Sequence, residues 1–322
     1  GEGLLEPSDL FAQVAAGLSQ VLRGGDATHG EKPDDMAKPV AFKDIGKTCK
    51  DLLTKDYDVG KNTVELESKT PNGIKFTPKA TKSGDALDGT LAAKYVIGAG
   101  METEISLLTS TVVKGMFKAP DVLAKGLTIE TNCETPAPDD KKGGLLSKGS
   151  LDFDYKTGPF NCKAAYDFFK SDLTACATGT FSGLTAGAEC GFNTAKSVLT
   201  KYTAACQYVQ PDFTVVAKIL APKASALDFT GSYYHKVSGE MQVGADITKK
   251  ASKSDVDLGF GCLYKLDKTT TVKGKVDSDG KLLASFKQQL SPLTLLTLAA
   301  QIDTVDLNSG KHKFGMALKL TP

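Results

Sequence analysis

From Lys61 onward, apolar side chains recur at every second position of this chain. Val64 and Leu66 alternate with Thr63, Glu65 and Glu67, and Leu151, Phe153 and Tyr155 alternate with Ser150, Asp152 and Asp154. The pattern returns at Leu227, Phe229, Gly231 and Tyr233, at Met241, Val243, Ala245 and Ile247, and at Val256, Leu258, Phe260 and Cys262. Successive side chains of an extended strand point to opposite faces, so each run is a strand with one apolar and one polar face. Turn signals separate the runs: Pro71-Asn72-Gly73, Asp139 to Gly144, Gly158-Pro159, Gln210-Pro211-Asp212, Asp277 to Gly280, Ser291-Pro292 and Asn308-Ser309-Gly310. About nineteen such strands fit between Lys61 and Leu320, roughly fourteen residues per strand and turn, near the ~10-residue segments of a membrane barrel.

Many polar faces carry Lys, Asp or Glu, as a water-filled lumen requires, while medium apolar residues occupy the face that would meet lipid. No segment reaches the roughly 20 apolar residues that a spanning helix needs. The richest run, Leu293 to Ala300, stops at Gln301 and Asp303. In a membrane, then, the chain must be a closed barrel, because only helices and barrels satisfy every backbone polar group in lipid. The residue pattern alone leaves a soluble, β-rich multi-sheet binding protein open.

Two helical stretches precede the strands. In residues 1–35, Leu10, Phe11, Val14, Leu18, Val21 and Leu22 fall on one face, started by Pro7-Ser8-Asp9 and stopped by Gly24-Gly25. Met36-Ala37-Lys38-Pro39 reads as a start of its own, so residues 1–35 are expected to be an N-terminal extension outside the working fold. In the second stretch, within residues 36–59, Phe42, Ile45, Cys49, Leu52 and Leu53 share one helical face and Lys43, Lys47 and Lys50 another. By itself this is equally a surface helix docked on a soluble core. The net charge is +1, yet residues 1–35 hold two basic residues against seven acidic ones, which leaves +6 for residues 36–322. Arg23 is the only arginine, so scattered lysines, suited to a diffuse anion-attracting field, dominate.

Seven cysteines without a C-x-x-C pair argue against a disulfide framework or a zinc ribbon, and three histidines against a histidine-rich metal centre. There is no P-loop, and Gly179-Thr180-Phe181-Ser182-Gly183 lacks nucleophile-elbow spacing. Asp277-Ser278-Asp279-Gly280 begins like a calcium loop but lacks its twelfth-position glutamate. No catalytic residue, metal ligand or cofactor site is expected, nor any nucleic-acid partner.

Four stretches, Phe42 to Tyr57, Phe192-Asn193-Thr194-Ala195-Lys196-Ser197, Gly231-Ser232-Tyr233-Tyr234-His235-Lys236-Val237 and His312 to Leu320, resemble in order and spacing the voltage-dependent anion channels, the eukaryotic porins of the mitochondrial outer membrane. The resemblance spans essentially residues 37–322. It implies an all-β transmembrane barrel (60–322) of nineteen strands whose first and last pair in parallel, with an amphipathic helix inside the pore. It implies a voltage-gated, weakly anion-selective diffusion channel for nucleotides, phosphate, organic anions and small ions, and not an enzyme. The pore-lining residues are then Lys43, Lys47, Lys50 and Lys55, with Phe42, Ile45, Cys49 and Leu52 packed on the barrel wall.

The closing stretch is similar to a mitochondrial barrel sorting signal: Lys313, then Gly315, then Met316, Leu318 and Leu320 at alternate positions. Implied partners are membrane lipid, permeating nucleotides and anions, the barrel-assembly machinery and a second copy of the chain. A protein-import channel of the same barrel family is the nearest alternative. One departure stands out: the family's glycine-leucine-lysine element is here Gly126-Leu127-Thr128, which puts a nucleotide site there in doubt. Glu102 and Glu104 lie near the place of a membrane-facing acidic residue, without a fixed register.

Overall fold

A computed structural model describes residues 39–138, 144–223, 226–308 and 310–322. The helix expected within residues 1–35, most of the turn at Asp139 to Gly144, and Ser309 lie outside the described residues.

The strands run β1 (Lys61–Leu66), β2 (Ser68–Lys69), β3 (Lys75–Ser83), β4 (Ala86–Ile97), β5 (Met101–Leu108), β6 (Val113–Pro120), β7 (Leu127–Glu134), β8 (Lys148–Thr157), β9 (Phe160–Asp167) and β10 (Asp172–Phe181). They continue with β11 (Leu184–Asn193), β12 (Val198–Val209), β13 (Phe213–Lys223), β14 (Ala226–Lys236), β15 (Met241–Lys249), β16 (Val256–Lys265), β17 (Thr270–Asp277), β18 (Lys281–Ser291), β19 (Thr294–Asp303) and β20 (Lys313–Leu320). Both β1 and β2 pair with β3 and are interrupted only at Glu67, so the two form one stave and the barrel has nineteen. From β3 onward each strand pairs antiparallel with the next, through register such as Gly244↔Gly261 and Leu298↔Met316. The barrel closes by the parallel pair β1–β20, from Asn62↔Met316 to Leu66↔Leu320. Closure removes the free edge whose unpaired N–H and C=O groups lipid could not satisfy.

Burial is inverted relative to a water-soluble protein. Leu258 and Phe260 on β16 are 52% and 53% exposed, and Ile105, Phe117, Val215 and Phe229 are exposed on other strands. Thr178, Thr185, Thr203, Gln207, Lys273 and Ser285 are buried instead. The apolar positions of the period-two pattern therefore form the outer face. Two stacked sheets with a dry interior would bury them, so the soluble multi-sheet alternative is set aside. Among the described residues no helix is long and apolar enough to cross a membrane.

The segment ahead of β1 is not one continuous helix. A 3-10 turn at Phe42–Asp44 is followed by α1 (Lys47–Thr54), and the two are separated at Ile45 and Gly46. Gly46 has φ 75°, a left-handed conformation that suits glycine, and a Cβ there would meet both methyls of Val216 at 3.4 Å. The close approach to the wall thus sets the break.

Candidate functional site: the lumen and the segment inside it

Residues 40–60 cross the inner wall from β10 to β18. At the start, Thr178 Oγ1 donates to the Val40 carbonyl and the Val40 N–H donates to Thr180 Oγ1 at 3.5 Å. The Gly46 N–H, left over at the N-terminus of α1, donates to the buried Gln207 Oε1 at 2.9 Å. Phe42 and Ile45 pack with Ala205 and Val216 in a small apolar cluster. The Cys49 thiol donates to the Tyr233 and Ala245 carbonyls at 3.4 and 3.5 Å, and burial, with Asp246 nearby, pushes its pKa up to about 11.

The wall makes room for these side chains with glycine. A Cβ on Gly244 would lie 2.7 Å from Leu52 Cδ2 and 3.3 Å from Cys49 Sγ, one on Gly261 2.7 Å from Leu53 Cδ2, and one on Gly187 3.2 Å from Phe42 Cδ2. Each glycine occupies an inward position of its strand, where alternation would otherwise place a polar side chain. These inward glycines were the readable signal of helix docking, and the sequence reasoning passed over them.

It also missed the anchor at the far end. Lys273, 8% exposed on β17, donates at the C-terminus of α1 to the Lys55 carbonyl at 3.3 Å and to the Asp51 carbonyl at 3.4 Å, which also accepts the Lys55 N–H at 3.1 Å. Its ammonium pairs with Asp56 at 3.1 Å, and Lys287 pairs with the same carboxylate at 3.3 Å. Burial alone would raise the Asp56 pKa; the two ammonium groups outweigh it and hold the carboxyl below its usual range. Tyr57 is buried under Lys273, whose ammonium lies 6.0 Å from the ring centroid, and burial raises the phenol pKa. Nothing local in the sequence links Asp56 to a lysine more than two hundred residues away.

Lys43, Lys47, Lys50 and Lys55 are all exposed, whereas Phe42, Ile45, Cys49 and Leu52 are buried. The four lysines are not equivalent. Lys47 pairs with Asp44 at 3.1 Å and Lys55 with Asp51 at 2.7 Å; Lys43 and Lys50 have no carboxylate partner among the described residues. With Asp44, Asp51, Asp56 and Asp58 in the same segment, its four positive charges are matched by four negative ones.

The closing strand passes beneath this segment. Lys313 and Gly315 occupy inward positions of β20, and Met316, Leu318 and Leu320 outward ones. The Gly60 N–H donates to the Phe314 carbonyl at 2.9 Å, and a Cβ on Gly315 would collide with the Asp58 carbonyl oxygen. Thr128 is inward, opposite Asp154, and a Cβ on Gly126 would strike the Lys156 carbonyl oxygen, so backbone crowding accounts for that glycine. Glu102 pairs with Lys94 at 3.0 Å and Lys118 at 4.0 Å, while Thr103, Ile105 and Leu107 take the outer positions. Glu102 and Glu104 therefore face the lumen and not lipid. Among the described residues no group of His, Cys, Asp and Glu is arranged to hold a metal ion.

Residues 38–315 match the family model described as Eukaryotic porin. A "Non-selective voltage-gated ion channel VDAC2" of Xenopus laevis is 28% identical over 88% of this chain and 99% of that protein. A "Mitochondrial outer membrane protein porin" of Candida albicans is 29% identical over 87% and 98%. A "Mitochondrial outer membrane protein porin 5" of Oryza sativa subsp. japonica is 31% identical over 89% and 99%. With the match running from the segment inside the lumen to the closing strand, this chain belongs to the eukaryotic porin family.

Proposed function

We propose that the chain is a voltage-gated diffusion channel of the mitochondrial outer membrane, weakly anion-selective, passing nucleotides, phosphate, organic anions and small ions. The inverted burial carries this reading: a closed barrel with apolar side chains outside and charged ones inside suits lipid on one face and water on the other. The family and the printed names of the relatives support the channel, its voltage gating and its compartment. The segment docked in the lumen narrows it, which favours small solutes over an unfolded polypeptide. A channel and not an enzyme is what this architecture supports.

The anion preference rests on ammonium groups that face the lumen without a paired carboxylate among the described residues, Lys43 and Lys50 foremost; Lys47 and Lys55 contribute less because Asp44 and Asp51 offset them. Residues 1–35 act as an extension that conduction does not need. Lys313, Gly315, Met316, Leu318 and Leu320 form an edge strand that the barrel-assembly machinery reads by strand pairing before closure. With Thr128 on the lumen wall, nucleotides pass without a site at that element. Recording in planar bilayers tests the whole reading. Step-wise insertions that close at high voltage of either sign, with a reversal potential on the anion side in a salt gradient, are expected. Lys50→Glu should move that potential toward cations more than Lys47→Glu; equal shifts would refute the ranking.

A further inference from the structure

Charge on the outer face of the barrel is sparse and of one sign. Strand alternation turns every strand carboxylate among the described residues toward the lumen. Of the strand lysines whose side chains are described, it turns out only Lys82 and Lys249. Lys82 stands on β3 opposite Asn62 and Leu87, and Lys249 on β15 opposite Phe229 and Val256; Leu87, Phe229 and Val256 all belong to the exposed apolar face. Both lysines lie near the C-terminal ends of their strands, and β3 and β15 run in the same direction because an even number of antiparallel pairings separates them. They therefore share one rim. Neither has a carboxylate within ion-pair distance among the described residues. Asp257, beyond β15, is shared by Lys250 and Lys253 at 3.6 and 3.8 Å, while the Lys249 ammonium donates to the Ser254 carbonyl.

Below each of these lysines the outer wall is recessed. Under Lys82, Pro78, Ala80 and Gly89 floor an apolar groove of about 450 Å³ between Val64, Leu91 and Leu107. Under Lys249, Gly231 and Ala245 floor one of about 640 Å³ among Tyr233, Ile247, Leu258 and Phe260. Ala80 and Ile247 lie two residues from their lysines, about 7 Å along the strand, so each groove opens just beneath an ammonium group.

A lysine on the lipid face near a rim lays its methylenes along the wall and holds its ammonium at the level of the headgroups. A zwitterionic headgroup brings a cation of its own, which offsets the attraction to its phosphate. An anionic headgroup brings none, and no outward strand carboxylate repels it. A recess floored by small residues lets an acyl chain touch the wall along its length, and those dispersion contacts add up.

We infer that this rim holds two seats for an anionic phospholipid, with the phosphate on Lys82 or Lys249 and one acyl chain in the groove beneath. The inference rests on the membrane reading of the barrel and deepens it, because it names the lipid class and places both seats in one leaflet. A single lysine near an anionic membrane surface is worth about five-fold in affinity.

The test is native mass spectrometry of the full chain, released from detergent micelles and titrated with phosphatidylglycerol or with phosphatidylcholine of the same chains. The unmodified protein should hold two phosphatidylglycerol molecules about five-fold more tightly than phosphatidylcholine. Lys82→Gln and Lys249→Gln should each abolish that preference at one seat and leave phosphatidylcholine binding unchanged. Ala80→Leu/Ala245→Leu, which fills both grooves and keeps both charges, should weaken both lipids. Equal binding of the two lipids overturns the inference, as does undiminished phosphatidylglycerol binding in Lys82→Gln/Lys249→Gln. Binding untouched by Ala80→Leu/Ala245→Leu overturns it too, since the grooves would then hold no chain. Should one lysine variant fail to fold, the other decides alone. A chain that stays folded and soluble without detergent would instead sink the membrane reading itself.

Discussion

Asp56→Asn is the sharpest perturbation of the docked segment. It removes the carboxylate that Lys273 and Lys287 share but keeps the size and shape of the side chain. Breaking a buried ion pair by removing one partner costs about 3–5 kcal/mol, because the remaining charge is left uncompensated. Here the Asp56 side chain is 25% exposed, and Lys273 keeps the Asp51 and Lys55 carbonyls, so about 2 kcal/mol is the better figure.

At ~1.4 kcal/mol per factor of ten, the loss multiplies local opening of α1 by about thirty. Hydrogen exchange in detergent micelles reads this at the Lys50 and Lys55 amides, which donate to the Gly46 and Asp51 carbonyls. The double variant Asp56→Asn/Lys273→Met should recover only part of the protection, since no buried ammonium is then stranded but the Asp51 and Lys55 carbonyls lose its hydrogen bonds. The pH dependence has a definite sign. The folded pKa of Asp56 lies below its unfolded value, so its contribution is complete above about pH 4 and is lost as pH falls through the lower folded value. The unmodified protein should lose protection of α1 in that acid range, and Asp56→Asn should show no such step. Unchanged exchange in Asp56→Asn with Lys273 intact would mean that the clamp does not hold the helix.

Gly315→Ala should prevent folding in detergent micelles, read as loss of the β-sheet circular dichroism of the unmodified protein, because its methyl group would occupy the place of the Asp58 carbonyl at the barrel seam. Gly244→Ala should leave the barrel assembled but speed exchange at α1, since Leu52 and Cys49 must shift, at about 1–3 kcal/mol for overpacking. With a pKa of about 11, Cys49 should react with a maleimide at pH 8 roughly a hundredfold more slowly than an ordinary thiol, with the rate rising tenfold per pH unit. Asp56→Asn should accelerate that alkylation; equal rates in both proteins would separate the thiol from helix docking. A chain beginning at Met36 should conduct with unchanged unitary conductance, and a silent but inserted barrel would assign residues 1–35 a part in conduction.

The period of two at Val64 and Leu66, or at Leu258 and Phe260, sufficed to set the strands, because alternation is a local property of extended backbone. The same rule put lysine and glutamate on one face and so called for a wet interior. Amphipathicity likewise grouped Phe42, Ile45, Cys49 and Leu52 against the lysines, since a helical face is also a matter of spacing. What surface that face would meet was not in the spacing. It took closure of the barrel to bring Gly187, Gly244 and Gly261 under the helix and to set Lys273 and Lys287 on Asp56, partners more than two hundred residues apart.

Closure also decided direction. Glu102 and Glu104 turned inward once their register with Lys94 and Lys118 was fixed, and the kink at Gly46 follows from contact with Val216. Local patterns determine which face of each strand or helix is apolar; pairing of residues far apart in the chain determines what each face touches.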